Sequence, residues 1–133
     1  MVFDSVTGVP VHRAISWNCA RTQGVAAAFA EKHGGIDALR AKTGLPVASY
    51  FSATKLAWLF SDESGLDVAD LRFKAATGRL LFGTIDTFLV WHLTEGRTHA
   101  TDVTNASRTL LCDVRKLQWD DDLCKLWNVD KAM

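Results

Sequence analysis

Glycine and proline cut this chain into short patterned pieces. The pieces alternate between strand-like and helix-like, which sets an α/β fold class. Gly8 punctuates a turn, while the Gly34-Gly35 pair, Gly44, Gly65 and Gly96 each close a run of helical character. Leu45-Pro46 bars a helix from crossing the middle. Phe3-Asp4-Ser5-Val6-Thr7-Gly8-Val9-Pro10-Val11 reads as strand, turn, strand, with the second strand running on to Ile15-Ser16-Trp17. Thr22 is placed to cap a helix in which Val25, Ala28 and Phe29 recur at helical spacing. A short helix is expected over residues 36–41. A third starts at Ser52 or Thr54, with Leu56, Leu59 and Phe60 as its apolar stripe and Gly65 as its stop.

The second half continues the alternation. A weaker helix is expected over residues 68–74 and a short buried strand over 79–83. The helix after Thr84 carries the strongest signal: Thr84 as cap, Asp86 in the positively polarised first turn, and Ile85, Phe88, Leu89 and His92 on one face. Extended segments follow near residues 98–100 and 109–114. Asp120 then caps a last helix with Leu123, Leu126 and Trp127 on one face. The run Asp120-Asp121-Asp122 is read as a cap followed by first-turn acids, in preference to a divalent-ion site. At 133 residues, with no internal repeat or low-complexity linker, this is one domain's worth of chain.

Composition removes whole classes of function. The formal net charge is zero, and no basic run exceeds two residues, so neither nucleic acid nor an anionic membrane is the expected partner. The longest apolar stretch, residues 80–93, is broken by Gly83, Thr84, Asp86, Thr87 and His92, so no membrane span is expected. The first residues, Met1-Val2-Phe3-Asp4, do not read as a signal peptide. Cys19, Cys112 and Cys124 form no CxxC pair, which points to reduced thiols and a cytoplasmic protein. His12, His33, His92 and His99 lack ligand spacing, so no metal site on protein ligands is expected.

A few side chains stand out for chemistry. Trp17 ends a predicted strand, where sites open in α/β folds; on residue type alone it reads as core packing, and the alternative is an indole packed on the C–H face of a ligand. Tyr50 sits in a loop before a helix, where its phenol either meets a substrate hydroxyl or finds a backbone partner. Thr54 reads as a cap and Lys55 as a solvated helix lysine; either could instead hold the loop that carries Tyr50. Asp86 is explained by the helix dipole. Asp102, Asn105, Ser107 and Arg108 form a polar cluster of turn formers. Arg108 is placed to pair with Asp102 or Asp113. Neither GxxxxGK(S/T) nor GxGxxG occurs, and Gly34-Gly35 is explained by helix capping.

Three blocks carry a resemblance: Tyr50-Phe51-Ser52-Ala53-Thr54-Lys55-Leu56-Ala57-Trp58, Leu81-Phe82-Gly83-Thr84-Ile85-Asp86-Thr87-Phe88-Leu89-Val90-Trp91, and Thr101-Asp102-Val103-Thr104-Asn105-Ala106-Ser107-Arg108-Thr109. In this order and spacing they resemble the glycerol kinases of the FGGY carbohydrate-kinase family, and Ala14-Ile15-Ser16-Trp17 matches as well. The resemblance covers essentially all 133 residues. Ala53 stands where the family often has Gly, and Phe88 where it often has Trp. Residues 62–77 match weakly.

The resemblance implies a partial ribonuclease-H-like domain of the actin and hexokinase type, an incomplete mixed sheet with several helices. All of residues 1–133 would fall within the kinase N-terminal domain, with no second domain. It implies an enzyme that uses ATP and Mg²⁺ to phosphorylate glycerol to sn-glycerol 3-phosphate, and that assembles as a homo-oligomer. Trp17 and Tyr50 would bind glycerol, with Thr54, Lys55, Asn105 and Arg108 in support. The family's Asp-x-Gly-Thr-x-Ser phosphate segment and its Arg-Glu glycerol-binding pair would lie upstream of Met1. The catalytic Asp and adenine pocket would lie downstream of Met133. On that reading the segment itself binds neither ATP nor metal and is inactive alone. Kinases for larger sugars, or a non-catalytic binding module, are the alternatives.

Overall fold

The computed structural model describes all 133 residues. Strand β1 (Val2–Asp4) pairs antiparallel with β2 (Leu80–Phe82), with Phe3 opposite Leu81. Between them run helices α1 (Gln23–His33), α2 (Arg40–Thr43), α3 (Ser52–Leu59) and α4 (Val68–Ala76). After β2 come α5 (Ile85–Leu93), α6 (Val103–Ala106), the hairpin of β3 (Cys112–Asp113) with β4 (Gln118–Trp119), and α7 (Asp121–Leu126). The main core joins α1, α3, β2, the chain after α6, and α7. Phe29 stacks on Trp127 at 3.8 Å within it, beside Leu56, Leu59, Leu80, Leu110 and Leu123.

The second N-terminal strand does not form. Pro10 makes one isolated bridge to Phe3, and Val11 N donates to Val2 O at 3.0 Å. Pro10 has no N–H to extend the ladder, and residues 11–17 run on without regular pairing. The turn itself is as expected. Asp4 accepts from the N–H groups of Val6 and Thr7 and from Arg79 Nε at 2.6 Å, tying it to the entry of β2. Gly8, at φ 72°, lies so close to Trp91 that a Cβ would sit 2.5 Å from the indole.

Helix boundaries follow local chemistry, with several departures. The expected helix over 36–41 shifts to α2, because the Ile36 carbonyl accepts from Val47 N at 2.6 Å and is lost to the helix ladder. Helix α3 stops at Leu59, well before Gly65. The Ser61 hydroxyl takes the Trp58 carbonyl at 2.8 Å, and Gly65 closes a separate 3₁₀ turn, Asp62–Ser64. Residues 98–100 form no strand. Neither Thr22 nor Thr84 caps with its side chain: the Thr22 hydroxyl pairs with that of Thr54 at 3.0 Å, and the Thr84 hydroxyl donates to Asp86.

The apolar face assigned to α5 is also rotated. Thr87 and Trp91 are buried and Phe88 half-buried, while Ile85 is 62% and Leu89 50% exposed. Trp91 seats against Gly8 and Gly96, Thr87 against Gly83, and Phe88 and Trp91 meet Phe3 edge-on. On α7, Leu123 and Trp127 are buried as expected, but Leu126 is largely exposed and Cys124 takes its place inside. Asp120 caps α7 by accepting from Leu123 N at 2.9 Å. Lys42 binds Asp120 and Asp122, and Lys131 binds Asp121, so the acidic run is consumed by capping and ion pairs.

Candidate functional site

A cavity of about 350 Å³ opens between the 11–17 segment, the start of α3, the end of β2 and the exit of α6. Its floor is apolar, with Ile15, Leu56, Leu59 and Phe82. Its rim carries Trp17, Tyr50 and polar groups. That combination suits a small ligand with C–H faces and hydroxyl edges.

Trp17 and Tyr50, from separate segments, meet on this rim. Their ring centroids are 5.3 Å apart with planes tilted by 42°, and both are partly exposed, at 63% and 43%. Tyr50 also lies edge-on to the buried Phe51. The loop before α3 is pinned from several sides. Ala53 N donates to Thr109 O at 2.9 Å, and the Thr54 hydroxyl donates to Phe51 O at 3.0 Å. Thr54 is fully buried and lies outside the cavity wall; its role is the hydroxyl link to Thr22.

Lys55 departs from expectation. It is a buried lysine on the cavity wall, not a solvated one, and its ammonium donates to the Ser49 carbonyl just before Tyr50. Desolvation lowers its pKa, with a smaller contribution from nearby Arg21. Helix α3 packs against α1 and the core, so the first turn of α3 carries Lys55 inside.

Asn105 and Arg108 also reach the wall. Asp102 caps α6, accepting from the N–H groups of Thr104 and Asn105 and from both their side chains. These bonds, the Thr104 hydroxyl first, hold its carboxyl well below the usual range. Asp113 accepts from Arg115 N and Lys116 N. Arg108 pairs with neither. Its guanidinium lies 5.3 Å from the Tyr50 ring centre and 5.0 Å from that of Phe51. The sequence reading missed Arg13, Ser52 and Thr84, which also line the cavity. Arg13 opens the segment that ends at Trp17, the one signal that could have found it.

The wall therefore carries Arg13, Lys55 and Arg108 and no aspartate or glutamate. Such a wall offers no carboxylate to a divalent cation such as Mg²⁺, while its cations, hydroxyls and apolar floor suit a small polar ligand.

The profile of the FGGY family of carbohydrate kinases, N-terminal domain, matches residues 1–133. The chain belongs to this family. Among similar proteins, glycerol kinase 2 of Thermotoga maritima is 44% identical over 133 residues, covering 100% of this FGGY chain and 26% of that protein. Glycerol kinase of Azorhizobium caulinodans is 49% identical over 135 residues, covering 99% and 26%. The crystal structure of Plasmodium falciparum glycerol kinase with ADP superposes with a TM-score of 0.86 at 38% identity, over 96% of this chain and 24% of that one. The FGGY chain thus spans about a quarter of the length of the curated relatives it matches. Its α/β architecture is that of the corresponding part of the solved kinase.

Proposed function

We propose that this FGGY chain forms one wall of the polyol pocket of a glycerol kinase, an enzyme that transfers the ATP γ-phosphate to glycerol and yields sn-glycerol 3-phosphate. The observation that carries the reading is the meeting of Trp17 and Tyr50 on the rim of an apolar-floored cavity. The similarity to proteins named glycerol kinase supports it. Trp17 packs on the C–H face of glycerol, and the Tyr50 phenol bonds a hydroxyl. Both act by fixing the substrate, and neither moves a proton. Lys55 holds the backbone before Tyr50 through Ser49, and Asn105 holds the α6 end of the wall through Asp102. ATP and Mg²⁺ serve the complete enzyme and are held by residues outside this set.

The test is a chimera in which these 133 residues replace the matching segment of the Thermotoga maritima relative. Glycerol-dependent release of ADP, with kcat/KM for glycerol above that for pentuloses and tetritols, is the expected result. A folded chimera that prefers a larger sugar over glycerol would overturn the assignment.

A further inference from the structure

Arg108 takes part in no ion pair of this molecule. Asp102 and Asp113, the carboxylates closest to it in sequence, are engaged with backbone N–H groups. Its guanidinium faces the Tyr50 and Phe51 rings instead, at 5.3 and 5.0 Å, within the range at which a cation is attracted to an aromatic face. Tyr50 is therefore held on one side by Trp17 and on another by Arg108.

The backbone that presents Arg108 is itself tightly fixed. Thr109 is fully buried, its hydroxyl donates to Ala106 O at 2.7 Å, and its carbonyl accepts from Ala53 N at 2.9 Å. This last bond ties the Arg108 segment to the first turn of α3, directly after the Tyr50 loop. Leu110, also fully buried, has φ 65°. A bulky residue holds that conformation only where its surroundings enforce it, and such positions cluster at functional sites.

We infer that Arg108 is a positioning residue for Tyr50: its guanidinium holds the phenol at the cavity rim and so sets affinity for the polyol. The inference rests on the polyol-pocket reading. A mobile tyrosine must be ordered when ligand binds, which weakens affinity. A ring already held by Arg108 and Trp17 avoids that loss.

The test uses the Thermotoga maritima chimera and measures KM and kcat for glycerol and for ATP. Arg108→Met is expected to raise the glycerol KM by roughly threefold to tenfold, up to the effect of losing the Tyr50 hydrogen bond itself. The kcat and the ATP KM stay within about twofold. Arg108→Lys, which keeps the cation, recovers most of the loss. In a Tyr50→Phe background, where no hydroxyl remains to be placed, Arg108→Met adds less than about twofold.

If Tyr50→Phe raises the glycerol KM but Arg108→Met does not, the inference is overturned while the pocket reading stands. Full additivity of the two substitutions also overturns it, because Arg108 would then act independently of Tyr50. If neither substitution moves the glycerol KM, the pocket reading fails and the inference fails with it. Should Arg108→Met not fold, Arg108→Gln carries the same expectation, and an unchanged glycerol KM there overturns the inference.

Discussion

Trp17 and Tyr50 are large, partly exposed aromatics that meet on the rim of one cavity. If Tyr50 bonds a glycerol hydroxyl, Tyr50→Phe removes one hydrogen bond and little volume. A net worth of about 0.5–1.5 kcal/mol predicts a roughly threefold to tenfold fall in kcat/KM for glycerol. Trp17→Ala removes a wall of the pocket and is expected to cost more. The KM for ATP should be unchanged by either, and steady-state kinetics of the chimera checks both. The control is Trp127→Phe. Trp127 is buried, stacked on Phe29, and its indole N–H has no partner. Loss of ring volume and loss of an unsatisfied donor oppose each other. We expect a stability change within about 1 kcal/mol in urea titrations and no change in glycerol affinity.

Among the elements, α7 shows how much one cap contributes. Asp120 accepts from Leu123 N and binds Lys42, which also binds Asp122, so the start of α7 is fastened to α2. Burial alone would raise the Asp120 carboxyl, but the bonds from Lys42 and Leu123 N–H outweigh it and leave its pKa below the ordinary value. A depressed carboxyl stabilises the fold above its unfolded-state pKa, about 3.9, and that stabilisation is lost as pH falls through the folded value. Asp120→Asn keeps a capping oxygen and loses the charge. Its urea midpoint should therefore lie below wild type at neutral pH and approach it as pH falls below about 4. A gap that stays constant down to pH 2 would refute the ion-pair account. Asp120→Ala also loses the cap, worth about 1 kcal/mol.

At the scale of the molecule, the exposed apolar surface is the feature with the largest consequence. Phe73 is 69% and Leu93 81% exposed, and Ile85 and Leu89 stand on the same outer side of α5 as Leu93. The larger sheet has only two strands. We expect these 133 residues, purified alone, to self-associate or to unfold below ~60 °C, the upper range of ordinary mesophilic domains. Light scattering and calorimetry read this directly, and a reversible monomeric transition above that temperature would be the contrary result. The same preparation should show no glycerol-dependent ADP formation, since the cavity wall offers no carboxylate and the sequence no phosphate-binding glycine loop. Turnover that persists through repeated purification would reverse that conclusion.

What the sequence determined alone is what depends on neighbours along the chain. The glycine stops at Gly34 and Gly44, the Asp4 turn and the Asp120 cap all rest on contacts within a few residues, and each forms as read; α5 instead ends at Leu93, with Glu95 in the left-handed conformation ahead of Gly96. The blocks holding Trp17 and Tyr50 were legible as family motifs. Only the tertiary structure decided which face of α5 is buried, because periodicity shows that a face exists while Gly8, Gly83 and Gly96 supply the space that selects it. The same holds for polar side chains. Thr22 and Thr84 were read as caps, yet the first was drawn to a hydroxyl 32 residues away and the second to Asp86. Lys55 is inside because its stem packs against the core while its ammonium reaches a carbonyl. Arg108 faces the Tyr50 and Phe51 rings, more than fifty residues away along the chain, and pairs with neither Asp102 nor Asp113. A charge meets the groups that folding brings near it in space, and those are set only once the chain has folded.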